Sequence, residues 1–166
     1  YLGAGKTTLL NHILGCREAL DQRPAVIVNE FGPLGVDGRL VRQGPYHVYE
    51  INKGSLFCVC TRVDFYNVLH ELTEAAAPPG VVLIEATGIA EPIDMESMVA
   101  EPALAEAFAI EANICVVDAV NFVPAAAFLK AATRQVQWAD GLVINKADLV
   151  SQAELEKLQA LLTHLN

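Results

Sequence analysis

The chain has 166 residues and a formal net charge of −9, long enough for one well-buried domain and short for two. With 53% hydrophobic residues and a mean hydropathy of +0.34 it is too apolar for a disordered chain, yet no apolar run is long enough to span a bilayer. The acidic balance, with a pI near 4.8, argues against nucleic acid and against any broad phosphate-binding face, so a phosphate must be held by a local device.

In chain order, "YLGAGKTTLLNHIL" opens with a glycine-rich turn and feeds a helix predicted from Lys6 to about Leu14. "AVIVNEF" (Ala25 to Phe31) and "YHVYEI" (Tyr46 to Ile51) follow as candidate strands. "GSLFCVCTR", Gly54 to Arg62, places Cys58 and Cys60 one residue apart ahead of a helix predicted from Thr61 to Ala77. Pro78, Pro79 and Gly80 mark a loop, and "VVLIEATG" (Val81 to Gly88) is the next strand. A helix from Pro92 to Phe108 should break at Pro102. "ANICVVDA" (Ala112 to Ala119) and "GLVINKAD" (Gly141 to Asp148) are strands on either side of a helix from Val123 to Trp138. The last helix starts at Ser151, where Ser151 and Glu154 stand at capping-box spacing.

Four of these strands are continuous apolar runs, which suits burial on both faces. Strand and helix alternate throughout, so the expectation is an α/β fold: a mostly parallel, doubly wound sheet with flanking helices. Residues 1–166 read as a single domain. The four cysteines, Cys16, Cys58, Cys60 and Cys115, are too sparse for a disulfide scaffold and suggest a reducing, cytoplasmic setting. His12 and Cys16 are four apart on the first helix and read as packing residues, as does Cys115 within its strand.

The chemistry gathers at three places. A P-loop reads Gly, four residues, then Gly-Lys-Ser/Thr, and Gly3, Ala4, Gly5, Lys6 and Thr7 supply all but its first glycine. The chain is therefore read as a piece of a longer protein, cut inside the motif, with the strand that feeds the P-loop lying upstream of Tyr1. The glycines let backbone N–H groups turn inward on phosphate oxygens at a helix N-terminus. Lys6 is expected at the β- and γ-phosphates, the Thr7 hydroxyl on Mg²⁺, and Thr8 beside the α-phosphate. Glu85 ends an apolar strand and Gly88 follows three residues later, the spacing of an acid in the Mg²⁺ shell and a glycine at the γ-phosphate. Third comes Asn145-Lys146-x-Asp148 after a strand. The Asp148 carboxylate can accept from the paired donors of guanine, which adenine lacks, the Lys146 stem can lie over the base, and Asn145 can tie the loop down. GTP rather than ATP is the expected nucleotide.

Together "LGAGKTTLLNHIL", "VIVNEFGPLGVDG", "EATGIAEP" and "VINKADLV" resemble the CobW family of metal-handling P-loop GTPases, relatives of the HypB and UreG metallochaperones, over essentially the whole length. The resemblance implies a P-loop NTPase fold, with Glu85 as a family signature. It also implies that Glu30 and Asp37 lie in a nucleotide-sensing segment near Mg²⁺ or the attacking water, and that the second domain usual in the family, if there is one, lies beyond Asn166. The family's Gly-Cys-x-Cys-Cys is altered here: Gly54 is followed by Ser55, and Cys58 and Cys60 come later. Two thiolates do not fill a tetrahedral site, so His47, Glu30, Ser55, a second subunit or a client must add donors.

The resulting expectation is a GTP-hydrolysing metallochaperone domain. Lys6, Glu85 and Glu30 would serve hydrolysis, Thr7, Asp37 and Glu85 would hold Mg²⁺, and Cys58 and Cys60 would take a transition metal, zinc or cobalt. Its partners would be GTP, the metal, a client metalloprotein or cofactor enzyme, and a second copy of the chain in the GTP state, with no nucleic acid or membrane. Three alternatives stay open. They are a GTPase that loads a cofactor enzyme without binding metal through its cysteines, a switch that scarcely hydrolyses, and an ATP-dependent small-molecule kinase, which Asp148 disfavours.

Overall fold

Every strand pairing among the described residues is parallel. The computed structural model describes residues 3–29, 41, 43–51, 59–88 and 92–166, at 59–60 and 92–94 as backbone alone. These residues gather into two compact units, one comprising residues 6–87 and 101–107, the other residues 1–5, 88–100 and 108–166.

In the first unit, α1 (Lys6–Ile13), α2 (Arg17–Asp21) and α3 (Val59–Glu74) accompany a three-stranded sheet of β1 (Pro24–Asn29), β2 (His47–Ile51) and β3 (Val81–Glu85). The spatial order is β2-β1-β3. The central strand β1 is buried at every position, as its unbroken Ala-Val-Ile-Val run requires. At the flank, β2 leaves His47, Val48 and Glu50 exposed, and β3 is half-buried until Glu85. Register pairs Val28 with Glu50 on one side and with Glu85 on the other. Leu10 and Leu14 from the first helical segment pack with Val26, Val28 and Val41.

On α3 the buried residues are Thr61, Phe65, Leu69 and Leu72, spaced by four, four and three, which is one helical face. Burying Phe65 and Leu69 stabilises the unit by about 1.5–3 kcal/mol each. The Asn29 amide, 2% exposed, donates to the Ile51 carbonyl at 3.0 Å and so ties the ends of β1 and β2 together. The short α2 carries no apolar periodicity that would announce it. Its Arg17–Asp21 pair is solvated on both sides and contributes little. α5 (Pro102–Ala105) also belongs here, starting at the proline where the helix was expected to break.

In the second unit, β4 (Ile114–Asp118) and β5 (Gly141–Asn145) pair in parallel, with Asp118 opposite Asn145. α4 (Pro92–Val99), α6 (Phe122–Phe128), α7 (Lys130–Gln137), a 3-10 turn (Ala147–Leu149) and α8 (Gln152–Leu165) complete it. Its core joins Val117 of β4, Phe122 of α6, Ala132 and Val136 of α7, and Leu158 and Leu162 of α8. Cys115 packs against this cluster. The single helix expected over 123–138 is two helices, because Leu129 is extended at φ −115, ψ 97. Apolar periodicity would put Leu129 on the buried face, yet it is 45% exposed, and nothing in the local sequence accounts for the break. By contrast α8 starts as its sequence dictates. The Ser151 hydroxyl accepts from the Glu154 amide while the Glu154 carboxylate accepts from the Ser151 amide, a reciprocal cap. Among the described residues no helix is long and apolar enough to cross a membrane.

Candidate functional site

The glycine turn bends back on itself through two left-handed residues, Gly3 at φ 68 and Gly5 at φ 94. Side chains disfavour that region. A Cβ built on Gly5 would fall on the Asn145 amide nitrogen, so the second glycine is also required by a close approach. That approach is a bond: the Asn145 amide donates to the Ala4 carbonyl at 2.8 Å, and Ala4 is completely buried. The other end of the same side chain accepts from the Lys146 amide at 2.9 Å, holding Lys146 in the left-handed region at φ 60, ψ 29. One asparagine thus joins the glycine turn to the strap after β5. Asp148 stands exposed on the 3-10 turn beyond.

Lys146 is held at its far end too. Its ammonium lies 2.6 Å from Asp118 Oδ2. The Asp118 carboxylate is 1% exposed and also accepts from the Val120 amide at 2.9 Å, the Asn121 amide at 3.1 Å and the Asn121 side chain at 3.0 Å. Burial pushes this carboxyl up, and the bonds from Lys146, Asn121 and Val120 outweigh it, leaving the group below its ordinary value. It is therefore ionised at neutral pH. Also in this unit, the buried Gln135 on α7 donates to the Gly88 carbonyl at 3.1 Å.

In the other unit, Thr7 in the first turn of α1 donates its hydroxyl to Glu85 Oε1 at 2.7 Å, across 78 residues of chain. Glu85 ends β3 and is 7% exposed, as is Thr87 two residues on. The Thr87 hydroxyl is buried with no hydrogen-bond partner among the described residues, a cost of about 1–3 kcal/mol unless a ligand completes it. Lys6 is half-buried and Thr8 exposed in the same helical turn. A hydroxyl and a carboxylate in contact, with an orphaned hydroxyl nearby in sequence, are the hard oxygen donors that suit Mg²⁺.

Several expected residues are not reached. Glu30, Asp37, Ser55 and Cys58 lie outside the described residues, and Cys60 is placed in the first turn of α3 by its backbone alone. His47 is exposed on β2. Among the described residues no three His, Cys, Asp or Glu side chains converge where a metal ion could sit. Cys16 lies beyond the end of α1, in extended backbone ahead of α2, and its thiol donates to the His12 carbonyl at 3.4 Å. Sequence reasoning passed over Asp118, Asn121, Thr87 and Gln135. For Asp118 a signal existed: an acid closing an apolar strand in the same pattern as Glu85.

A glycine turn leading into a helix, a strand-end acid bonded to the threonine of that helix, and parallel strands flanked by helices together define a P-loop NTPase fold. The nucleotide-binding domain of the CobW/HypB/UreG proteins matches residues 1–166, and the chain belongs to that family. It is 38% identical over 127 residues to the zinc chaperone CobW of Pseudomonas aeruginosa, covering 71% of this chain and 33% of that protein. It is 31% identical over 170 residues to the zinc chaperone YjiA of Escherichia coli, covering 100% and 52%. A crystal structure of the zinc-bound YjiA GTPase from Escherichia coli superposes with a TM-score of 0.68 at 26% identity, covering 98% of this chain and 51% of that one. The chain thus spans about half, or less, of the length of these relatives.

Proposed function

We propose that this chain is the GTP-binding and GTP-hydrolysing part of a metallochaperone, in which nucleotide state governs the capture and delivery of a metal, zinc or cobalt. The observation that carries the nucleotide half is the Asn145 bridge, which fastens Asn145-Lys146-x-Asp148 to the carbonyl of Ala4 inside the glycine turn. In this reading the bond ties the strap that carries Asp148, three residues after Asn145, to the turn that would hold phosphate. The metal half is supported by the relatives' names, zinc chaperone and GTPase, and by the Cys58-x-Cys60 pair.

In this reading the backbone amides around Gly3, Ala4 and Gly5 receive phosphate oxygens, and Lys6 neutralises charge at the β- and γ-phosphates. Thr7 and Glu85 would hold Mg²⁺, which supplies charge neutralisation on the phosphate oxygens when bound. Thr7 would keep its hydroxyl hydrogen on Glu85 and offer an oxygen lone pair to the ion, since a hydroxyl has one donor and two acceptor lone pairs. Gly88 would offer its amide to the γ-phosphate, and Glu30 and Asp37 would act on the attacking water or the ion's shell. Metal on Cys58 and Cys60 is cargo, held by two thiolates and weaker donors so that it can leave.

The test uses the full-length protein. Phosphate release is measured with GTP and with ATP, with and without Zn²⁺, and zinc affinity is measured by chelator competition with and without GTP and Mg²⁺. Turnover of GTP over ATP, loss of turnover in Lys6→Ala, and a zinc affinity that shifts with GTP are expected. By linkage, zinc must shift GTP affinity by the same factor. If Cys58→Ser with Cys60→Ser leaves zinc affinity and its GTP dependence unchanged, the metallochaperone half is wrong. If ATP serves as well as GTP, the nucleotide half is wrong.

A further inference from the structure

Lys146 is fastened at both ends by the chain itself. Asn145 fixes its backbone through a 2.9 Å bond and Asp118 fixes its ammonium at 2.6 Å. We propose that Asp118 is a positioning residue of the guanine-nucleotide site: it holds the Lys146 side chain taut so that its aliphatic stem forms a ready platform for the base. This deepens the GTP reading and rests on it.

Two observations carry the assignment. First, Asp118 does not need Lys146 for its own satisfaction. Three of its four donors come from Val120 and Asn121, immediately after β4. They close a local turn that would hold a 1% exposed carboxylate by itself. The fourth donor comes from the residue just past β5, 28 residues later, brought alongside because Asp118 and Asn145 are register partners. The carboxylate is a fixed anchor and lysine is what it anchors. Second, the Lys146 side chain remains 32% exposed although its charge is paired. With the charge held by Asp118, the stem is the part of the side chain left to serve a ligand.

A free lysine carries much rotamer freedom, and ordering it on binding weakens affinity by roughly two- to tenfold. Tethering by Asp118 removes that loss before the ligand binds. Because the base is common to GTP and GDP, the benefit is the same for both, and the phosphate chemistry is untouched.

The experiment is a double-mutant cycle in the full-length protein, read by titration with fluorescent GTP and GDP analogues at fixed Mg²⁺. Asp118→Asn should raise the Kd of both nucleotides by the same factor, roughly two- to tenfold, and raise KM for GTP with kcat at saturation retained. In a Lys146→Ala background the same substitution should do nothing further, because the tethered group is gone. Lys146→Met keeps an unbranched stem and removes the tether without touching the buried carboxylate. It should weaken both nucleotides as Asp118→Asn does, and it decides the matter if Asp118→Asn does not fold. Wild-type affinity in Lys146→Met, or an Asp118→Asn effect equally large without Lys146, overturns the assignment while leaving the GTP reading standing. Failure of the wild-type protein to prefer GTP and GDP over ATP overturns both.

Discussion

Replacing Gly5 by alanine perturbs the molecule twice, and the two costs can be separated. An L residue at φ 94 is strained by about 1–2 kcal/mol. The new Cβ would also occupy the place of the Asn145 amide nitrogen, forcing it off the Ala4 carbonyl that it meets at 2.8 Å. Ala4 is fully buried, so displacing its partner costs about 1–2 kcal/mol more. The sum, about 2–4 kcal/mol, is a large share of an ordinary domain's 5–15 kcal/mol, roughly speaking. Urea unfolding of the nucleotide-free protein measures it as a lower midpoint at unchanged slope. In an Asn145→Ala background the collision has nothing to strike, and Gly5→Ala should cost only the backbone share, about 1–2 kcal/mol. Equal losses in the two backgrounds would refute the close-approach argument, and no loss in either would refute the left-handed turn itself.

Ser151→Ala removes one half of the reciprocal cap on α8 and should lower stability by about 1 kcal/mol, seen as a fall in Tm. Bonds from the Ser151 side chain and then its amide hold the Glu154 carboxyl below its ordinary value. That contribution is present above the unfolded carboxylate pKa, near 4.3 by reference value, and is lost as pH falls through the lower folded value. Acid titration of the Tm should therefore separate wild type from Ser151→Ala less at low pH than at pH 7. Asp148→Asn should raise the Kd for GTP by roughly 10- to 100-fold while leaving that for ATP nearly unchanged, since only guanine offers the donor pair. A fluorescent analogue reads it directly, and an unchanged GTP affinity would remove Asp148 from base recognition.

The strands were legible because long Val and Ile runs between loops have few other uses, and α8 because Ser151 and Glu154 make a local signal. Burial was less legible. β1 is sealed on both faces, but β5 leaves Val143 36% exposed, since an apolar run reports what a strand tolerates rather than how many neighbours it has. The break at Leu129 was hidden by a sequence that favours helix on both sides of it. In the site, motif spacing gave Thr7, Glu85, Asn145 and Lys146 separately. What it could not give was that Thr7 touches Glu85 or that Asn145 reaches Ala4, because contact between distant segments has no periodicity. Asp118 closes an apolar strand as Glu85 does, but its role was hidden for the same reason: the lysine it meets is brought alongside only by the sheet register. The readings on Glu30, Asp37 and Cys58, and on the Cys60 side chain, fall outside the described residues.

The Asn145–Ala4 bond has a consequence for how the protein comes into being. Its two partners are 141 residues apart in the chain, so on a ribosome the glycine turn is made long before the residue that fastens it. At ordinary elongation rates, about 5–20 residues per second, the interval is on the order of ten seconds. Throughout it α1 and the first sheet can form from neighbouring sequence, but the turn ahead of them has no partner to receive the Ala4 carbonyl. The nascent chain is then expected to acquire its nucleotide grip late and abruptly, when β5 emerges and closes the loop. A stalled chain ending before Asn145 would carry the turn from Gly3 to Thr7 and lack the bond that fastens it.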